Sequence, residues 1–161
     1  MLTQSRVKEI LNYDRETGVL SCRVDRWMLK VGDVVGNLMA DGYLRLSIDG
    51  RTYKAHRVIW LWMTGEWPKK DIDHVDLNRS NNCWKNLRVA TKSQGGANRR
   101  RPANNTSGLK GVCLLRSGRW QSAIKVNGRN IYLGLFDCPV AAHLSYVVAA
   151  GKYFGEYARA A

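Results

Sequence analysis

The sequence predicts an α+β chain: a β-rich N-terminal segment, a central strand–strand–helix unit, and a three-stranded antiparallel sheet packed on one helix. Three observations carry this reading. Asp49-Gly50 and Asn127-Gly128 each lie between alternating apolar and polar runs, the pattern of a two-residue hairpin. Bulky apolar residues gather in two helix-like runs, residues 56–63 and 140–153. Residues 103–108 are small, polar and turn-prone, so they read as a linker that sets off the last sheet.

Taken in order, residues 1–70 open with a short helix at 3–11 and a strand at 18–24. Residues 43–48 alternate apolar and polar, Asp49-Gly50 turns the chain, and residues 51–55 return it. The helix of residues 56–63 ends at Thr64-Gly65, and Pro68 prevents its resumption. Residues 71–102 then supply a strand (71–75), a polar loop (76–85), a second strand (87–90) and a helix. Thr91 and Gln94 have capping-box spacing at the start of that helix, and Arg99, Arg100, Arg101 and Pro102 close it. In residues 109–161, strands at 111–116, 119–126 and 129–133 precede a helix opened by Pro139.

The formal net charge is +13, and it is unevenly placed. Between Asp76 and Asp137, sixty residues hold twelve Lys or Arg and no acid, nearly the whole net charge. Ordinary surfaces mix both signs. An acid-free stretch points instead to a polyphosphate partner bound with counterion release. No amphipathic basic helix supports an anionic membrane as that partner. The longest apolar run, residues 58–63, is far short of a membrane span, and no secretory signal is present. The cysteines, Cys22, Cys83, Cys113 and Cys138, are too far apart for a zinc knuckle. The expectation is a cytoplasmic monomer with reduced thiols, a nucleic-acid partner and no membrane or protein partner.

Asp73 and His74 are adjacent on a predicted strand, so their side chains start toward opposite faces. That suits a cation held on one side of a phosphate while water is activated from another direction. A carboxylate holds a hard divalent cation, and a neutral imidazole takes a proton from water. Asn86, twelve residues after His74, can fix the imidazole tautomer through a hydrogen bond. An Asp-His turn capped by an Asn is the purely structural alternative. The rest of the motif decides between them.

The pattern Asp73-His74-x-Asp76-x-Asn78-x-x-Asn81-Asn82-x-x-x-Asn86-Leu87-Arg88-x-Ala90-Thr91-x-Ser93-Gln94 resembles the phage-type HNH homing endonucleases over residues 55–101. The resemblance implies a ββα-metal finger around one divalent ion, magnesium or manganese. It makes Asp73 a metal ligand, His74 the general base and Asn86 the residue that orients His74. Asn78, Asn81 and Asn82 fall in the loop and are assigned to Asx turns. His56, in Ala55-His56-Arg57, matches a recurrent family segment; a structural histidine is the preferred reading over a site residue. One position departs from the pattern. The family helix carries an Asn or His directly after Ser-Gln as a metal ligand, and this chain has Gly95. Asn98 is one turn farther on, about 4.5 Å along the axis, too far for an unshifted substitute. A site of impaired metal affinity is expected.

Residues 107–158 resemble the apetala-type (ethylene-response-factor-like) DNA-binding domain. The resemblance rests on Gly111-Val112, Gly118-Arg119-Trp120, Ala123-Ile124, Tyr132-Leu133-Gly134-x-Phe136-Asp137, Tyr146 and Lys152-Tyr153-Phe154-Gly155. It implies a sheet that reads the major groove with a helix on its other face. Alternation sends Trp120, Ser122, Ile124 and Val126 one way and Arg119, Gln121, Ala123 and Lys125 the other. Arg116, Arg119, Lys125 and Arg129 are expected to touch phosphate and base, with Arg99, Arg100 and Arg101 adding charge. Trp120 and Tyr132 are either sugar contacts or core. Cys113, Leu115 and Ala123 replace residues usually charged, so base preference does not carry over. The function read from the sequence is a DNA endonuclease acting on double-stranded DNA, in the host cytoplasm if phage-encoded. A catalytically inactive protein of the same fold, acting by occupancy, is the rival; an RNA-binding protein is the weaker third reading.

Overall fold

Thr3 starts the first element: its side chain accepts a hydrogen bond from the Arg6 amide and caps helix α1, Gln4–Ile10. The structure, a computed structural model, describes residues 1–26 and 28–159. The architecture is α+β, with several small sheets and four α-helices among the described residues. The chain divides into two units, Met1–Val89 and Ala90–Ala161.

In the first unit, β1 (Leu11–Tyr13) pairs antiparallel with β2 (Leu20–Cys22). A second sheet has the order β3 (Asn37–Leu38), β4 (Leu44–Ile48), β5 (Arg51–Lys54). Its β4–β5 turn is the expected Asp49-Gly50, with φ of 49° and 75°. Helix α2, Ala55–Thr64, begins directly after β5 and ends at Gly65 in the left-handed region. Strands β6 (Asp71–His74) and β7 (Leu87–Ala90) pair with each other. The core is built from Val7, Ile10 and Leu11 against Val58, Ile59 and Leu61, with Ile48, Ile72 and Leu87 joining it. Each such side chain contributes about 1.5–3 kcal/mol by leaving water. Because Ile72 and Leu87 are in that core, the polar residues that follow them on β6 and precede them in the loop are held to a fixed base. The sequence offered no signal for the short strands β1 and β3.

In the second unit, helix α3 (Lys92–Asn98) starts with the expected capping box: Thr91 accepts from the Gln94 amide and Gln94 accepts from the Thr91 amide. Strands β8 (Val112–Leu114), β9 (Trp120–Val126) and β10 (Arg129–Phe136) form an antiparallel sheet in the order β10-β9-β8. The Asn127-Gly128 turn joins β9 to β10 with φ of 50° and 85°. Helix α4, Pro139–Phe154, covers one face. Ser122 and Ile124 are buried on that side, with Tyr146, Ala149, Ala150 and Phe154.

Helix α3 belongs with this sheet. Ala97 is buried in the same cluster as Ile124 and Tyr146. Lys110 donates from Nζ to the carbonyls of Ala97, Arg99 and Arg159 at 2.5, 2.8 and 3.0 Å. Residues 103–108 therefore lie inside the second unit, where Ser107 Oγ donates to Val112 O at 2.8 Å. Among the described residues, no helix is long and apolar enough to cross a membrane.

Candidate active site

Strand β6 delivers Asp73 and His74 side by side in the first unit. Asp73 is met by Arg88 of β7, whose Nε and Nη2 each lie 3.1 Å from Asp73 Oδ2. Both side chains are only 13% exposed, so this ion pair is partly shielded from solvent. His74 is 4% exposed, and its Nε2 lies 3.1 Å from Asn82 Oδ1. With a carbonyl oxygen facing it, Nε2 carries the proton and Nδ1 becomes the basic nitrogen. Burial pushes the His74 pKa below the ordinary imidazole value. The Asn82 bond and the charges of Asp76 and Asp73 work against that shift, and the Arg79 charge adds to it. The ring is neutral at physiological pH.

The loop between β6 and β7 is held by its own asparagines. Asn78 N donates to Asp76 Oδ1, Ser80 N to Asn78 Oδ1 and Cys83 N to Asn81 Oδ1, so Asn78 and Asn81 do make Asx-type contacts. Asn86 clamps the ends of the loop. Its Oδ1 accepts from Asp76 N at 3.0 Å, and its Nδ2 donates to Asp76 Oδ1 at 2.9 Å and to Asn81 O at 2.7 Å. Burial pushes the Asp76 carboxyl up, but bonds from Asn81, Asn78 and Asn86 outweigh it and hold the pKa below the usual range.

Asn82, read from sequence as a turn residue, is the side chain at His74. It is 1% exposed, and its backbone carbonyl accepts from Tyr13 Oη at 2.9 Å. Trp84 N donates to Arg15 O at 2.9 Å, so the β1–β2 hairpin presses on the loop. Gly18 makes this approach feasible. Its φ is +78°, and a Cβ there would stand 2.3 Å from Cys83 N and 2.4 Å from the Asn82 carbonyl carbon. Nothing in the local spacing separates Asn82 from Asn81; only the hairpin contact does.

His56, at the start of α2, is 5% exposed, and its ring centroid lies 5.2 Å from that of His74 at 89°. Tyr43 lies 5.1 Å from His56 and 5.9 Å from His74. Burial, followed by the charges of His74, Lys54 and Arg57, pushes His56 down to about 3, so it is a neutral wall of the site.

Asp73 supplies a hard oxygen donor in this unit. Among the described residues, no group of three His, Cys, Asp or Glu could hold a metal. The buried Asn82 Nδ2, without a hydrogen-bond partner among the described residues, is a donor and suits an anion rather than a cation. This donor set does not suit zinc, which takes three or four protein ligands. A single carboxylate is a donor of the kind that a hard divalent ion takes, and Asp73 Oδ2 is at the same time engaged by Arg88. Gly95 lies on α3 in the second unit, and a Cβ built on it meets no described atom within 4 Å.

In the second unit, Lys125 and Tyr132 are exposed on the sheet face away from α4, Tyr132 opposite Ala123. Trp120 is half-buried and falls on the Ser122 side by strand alternation. Arg116 and Arg129 are exposed at the turns. Arg119 is tied to Asp137, Nε to Oδ1 at 2.9 Å, on an exposed edge. Arg100 and Arg101 are exposed after α3. A cleft of about 520 Å³ brings Arg99, Arg100, Lys110, Gln121 and Lys125 together. His143, without a partner signal in the sequence, faces the Lys110 carbonyl from Nδ1 at 3.0 Å.

A family model described as HNH endonuclease matches residues 53–97. Protein 3.8 of Escherichia phage T7 is 35% identical over 82 residues, which is 48% of this chain and 68% of that protein. An uncharacterized HNH endonuclease of Acanthamoeba polyphaga mimivirus is 29% identical over 137 residues, 84% of this chain and 70% of that one. A solved structure of DNA binding and cleavage by the HNH homing endonuclease I-HmuI is 26% identical, with a TM-score of 0.39. That match covers 52% of this chain, which spans about half (47%) of the I-HmuI chain.

Proposed function

The chain belongs to the HNH endonuclease family, and we propose that it is a metal-assisted DNA endonuclease of the homing type with His74 as general base. The observation that supports this most is the state of His74: buried, neutral, and bonded through Nε2 to Asn82, inside the segment that matches the family. A neutral imidazole with a fixed tautomer is ready to accept a proton. As the oxygen of the attacking water bonds to phosphorus, the His74 imidazole takes the water's proton and the bond to the leaving oxygen breaks. Asp73 would hold the divalent ion, magnesium or manganese, which would supply positive charge to the reacting phosphate. Asn86 acts one step back, closing the loop that carries Asp76 and Asn82. Arg88 keeps the Asp73 carboxylate in place.

Substrate binding falls to the second unit in this reading. Its three-stranded sheet and covering helix have the order of elements of the apetala-type domain, and its outer face joins Arg99 and Arg100 to Lys125 in one basic cleft. Arg101, Arg116, Arg129 and Tyr132 extend that surface toward double-stranded DNA, while Arg119 approaches DNA only by leaving Asp137. Trp120, half-buried on the strand face of Ser122, remains either a sugar contact or a packing residue in this reading. The protein acts as a monomer in the cytoplasm. The rival reading, site occupancy without cleavage, is supported by Gly95, which offers no ligand atom where the family pattern has one.

Incubating the purified protein with supercoiled plasmid and magnesium or manganese separates the two. Cleavage that disappears in His74→Ala is the expected result. Tight binding with no cut under either metal supports occupancy instead.

A further inference from the structure

Beside His74 is a cationic arrangement that the reaction described above does not use. Lys54 Nζ lies 4.1 Å from the centroid of the Tyr43 ring, and Arg79 Cζ lies 5.0 Å from the same centroid. That ring is itself 5.9 Å from the His74 ring. Arg79 is fixed in this pose: Nη1 donates to Asp41 O at 2.8 Å, and its stem runs past Gly42, where an added Cβ would stand 3.7 Å from Arg79 Cδ. Lys54 is fixed by its place, the last residue of β5 and the cap of α2.

Two cations on one aromatic ring repel each other, and a carboxylate usually relieves that. Here neither is in an ion pair among the described residues. The nearby Asp41 is engaged by Arg45, Nη2 to Oδ2 at 2.6 Å, and its charge reaches Lys54 without forming an ion pair with it. The Arg79 guanidinium is exposed and the Lys54 stem is half-buried, so both heads are available to a ligand from solvent. The Arg79 charge reaches the imidazole and helps lower its proton affinity.

We propose that Tyr43, Lys54 and Arg79 form a phosphate-binding subsite that grips a backbone phosphodiester beside the one presented to His74. Tyr43 is the platform and the two cations are the ligands. An aromatic face holds a cation without neutralising it, so the charge stays free for an anion. The guanidinium offers a two-pronged donor to phosphate oxygens and the ammonium a point charge. The subsite is sequence-blind, and it sets which phosphate of a bound duplex lies against the base. This rests on the endonuclease reading for the identity of its ligand, but its test does not use cleavage.

The full-length protein is titrated with a short fluorescent DNA duplex in EDTA over a series of salt concentrations, and the slope of log affinity against log salt is measured. Lys54→Gln and Arg79→Gln should each make the slope shallower by about 1, and the double variant by about 2. Tyr43→Phe, which keeps the ring, should leave the slope unchanged, and Tyr43→Leu should lower affinity several-fold. Circular dichroism melting confirms that each variant folds, a check needed because both changes shorten stems that are partly packed. Slopes equal to the parent's in both single variants and the double overturn the subsite. Shallower slopes in the variants of a parent that never cuts DNA keep the subsite and reject the endonuclease reading; a cutting parent whose variants keep its slope does the reverse.

Discussion

The two units treat polar side chains in opposite ways. In the first, His74, Asn82 and Asn86 are all buried, and the hydrogen bonds around them join His74 to Asn82 and Asn86 to Asp76 and Asn81. In the second, Arg116, Lys125, Arg129 and Tyr132 stand exposed on a sheet whose other face is packed under α4. A proton acceptor must be held in one tautomer and one pose, which burial and bonding enforce. A surface for a polyanion needs charges that are hydrated until the ligand arrives and whose effects add. Substitutions among the buried polar groups around His74 should therefore act steeply, and those of exposed charges gradually and with a salt dependence.

The sharpest break of that contrast is His74→Ala. Loss of the general base should lower cleavage by about 10²–10⁴-fold while duplex affinity stays within about twofold. A plasmid assay paired with anisotropy binding measures both. Equal losses in the two would mean that His74 holds DNA rather than a proton.

Next in size is Asn82. Asn82→Leu keeps the volume but removes the acceptor at Nε2, and cleavage should fall about 10–100-fold, as for partners that orient a functional histidine. Asn82→Asp tests the cause. A carboxylate there favours the imidazolium, so the His74 pKa rises and the acid limb of the rate profile moves to higher pH. A limb that does not move would remove Asn82 from control of the base.

Burial of the histidines also has a stability consequence. The unfolded chain protonates His56 near its ordinary value of about 6.5, whereas the folded chain resists until about 3. Between those values the unfolded state holds more protons, so stability falls as pH falls, by up to about 1.4 kcal/mol per pH unit. Urea midpoints from neutral pH downward should decline in the parent and decline less in His56→Phe. Parallel curves would place His56 in solvent.

Smaller effects are expected on the sheet. Lys125→Ala should weaken duplex binding several-fold and make the salt slope shallower by about 1. Tyr132→Ala should lower affinity without moving the slope, because its ring carries no charge. A change of a hundredfold from either would show that the second unit is as tightly coupled as the first. The mildest test is Gly95→Asn. The added side chain has open space at its Cβ and removes a glycine that costs a helix about 1 kcal/mol. The melting temperature should rise slightly with duplex affinity unchanged; a lower melting temperature would mean that the helix needs glycine at this position.

Much of the fold was legible because its determinants are local. Asp49-Gly50 and Asn127-Gly128 turn their hairpins by their own preference for positive φ, and Thr91 and Gln94 bond each other across three residues. Pro139 opens α4 at a position where its missing N–H costs nothing. Alternation placed Ser122 and Ile124 inward and Lys125 outward, since a strand leaves no other choice. The segment that matches the family, with Asp73 and His74 adjacent, was legible for the same reason.

What tertiary structure alone decided is which distant groups meet. The sequence reading assigns His74 to Asn86 and leaves Asn82 among the turn residues of the loop, whereas Asn82 Oδ1 is the atom facing His74 Nε2. The choice falls to Asn82 because Tyr13 and Gly18, more than sixty residues earlier, press on its backbone. His56 stands against His74 because α2 shares a core with the strands. Arg119 pairs with Asp137 across a sheet edge, and Lys110 ties α3 to the C-terminal unit, though the intervening residues look like a linker. Local preference is settled within a few residues by backbone sterics and short hydrogen bonds. Partner choice for a buried polar group depends on which surfaces burial brings together, and that is a property of the folded chain.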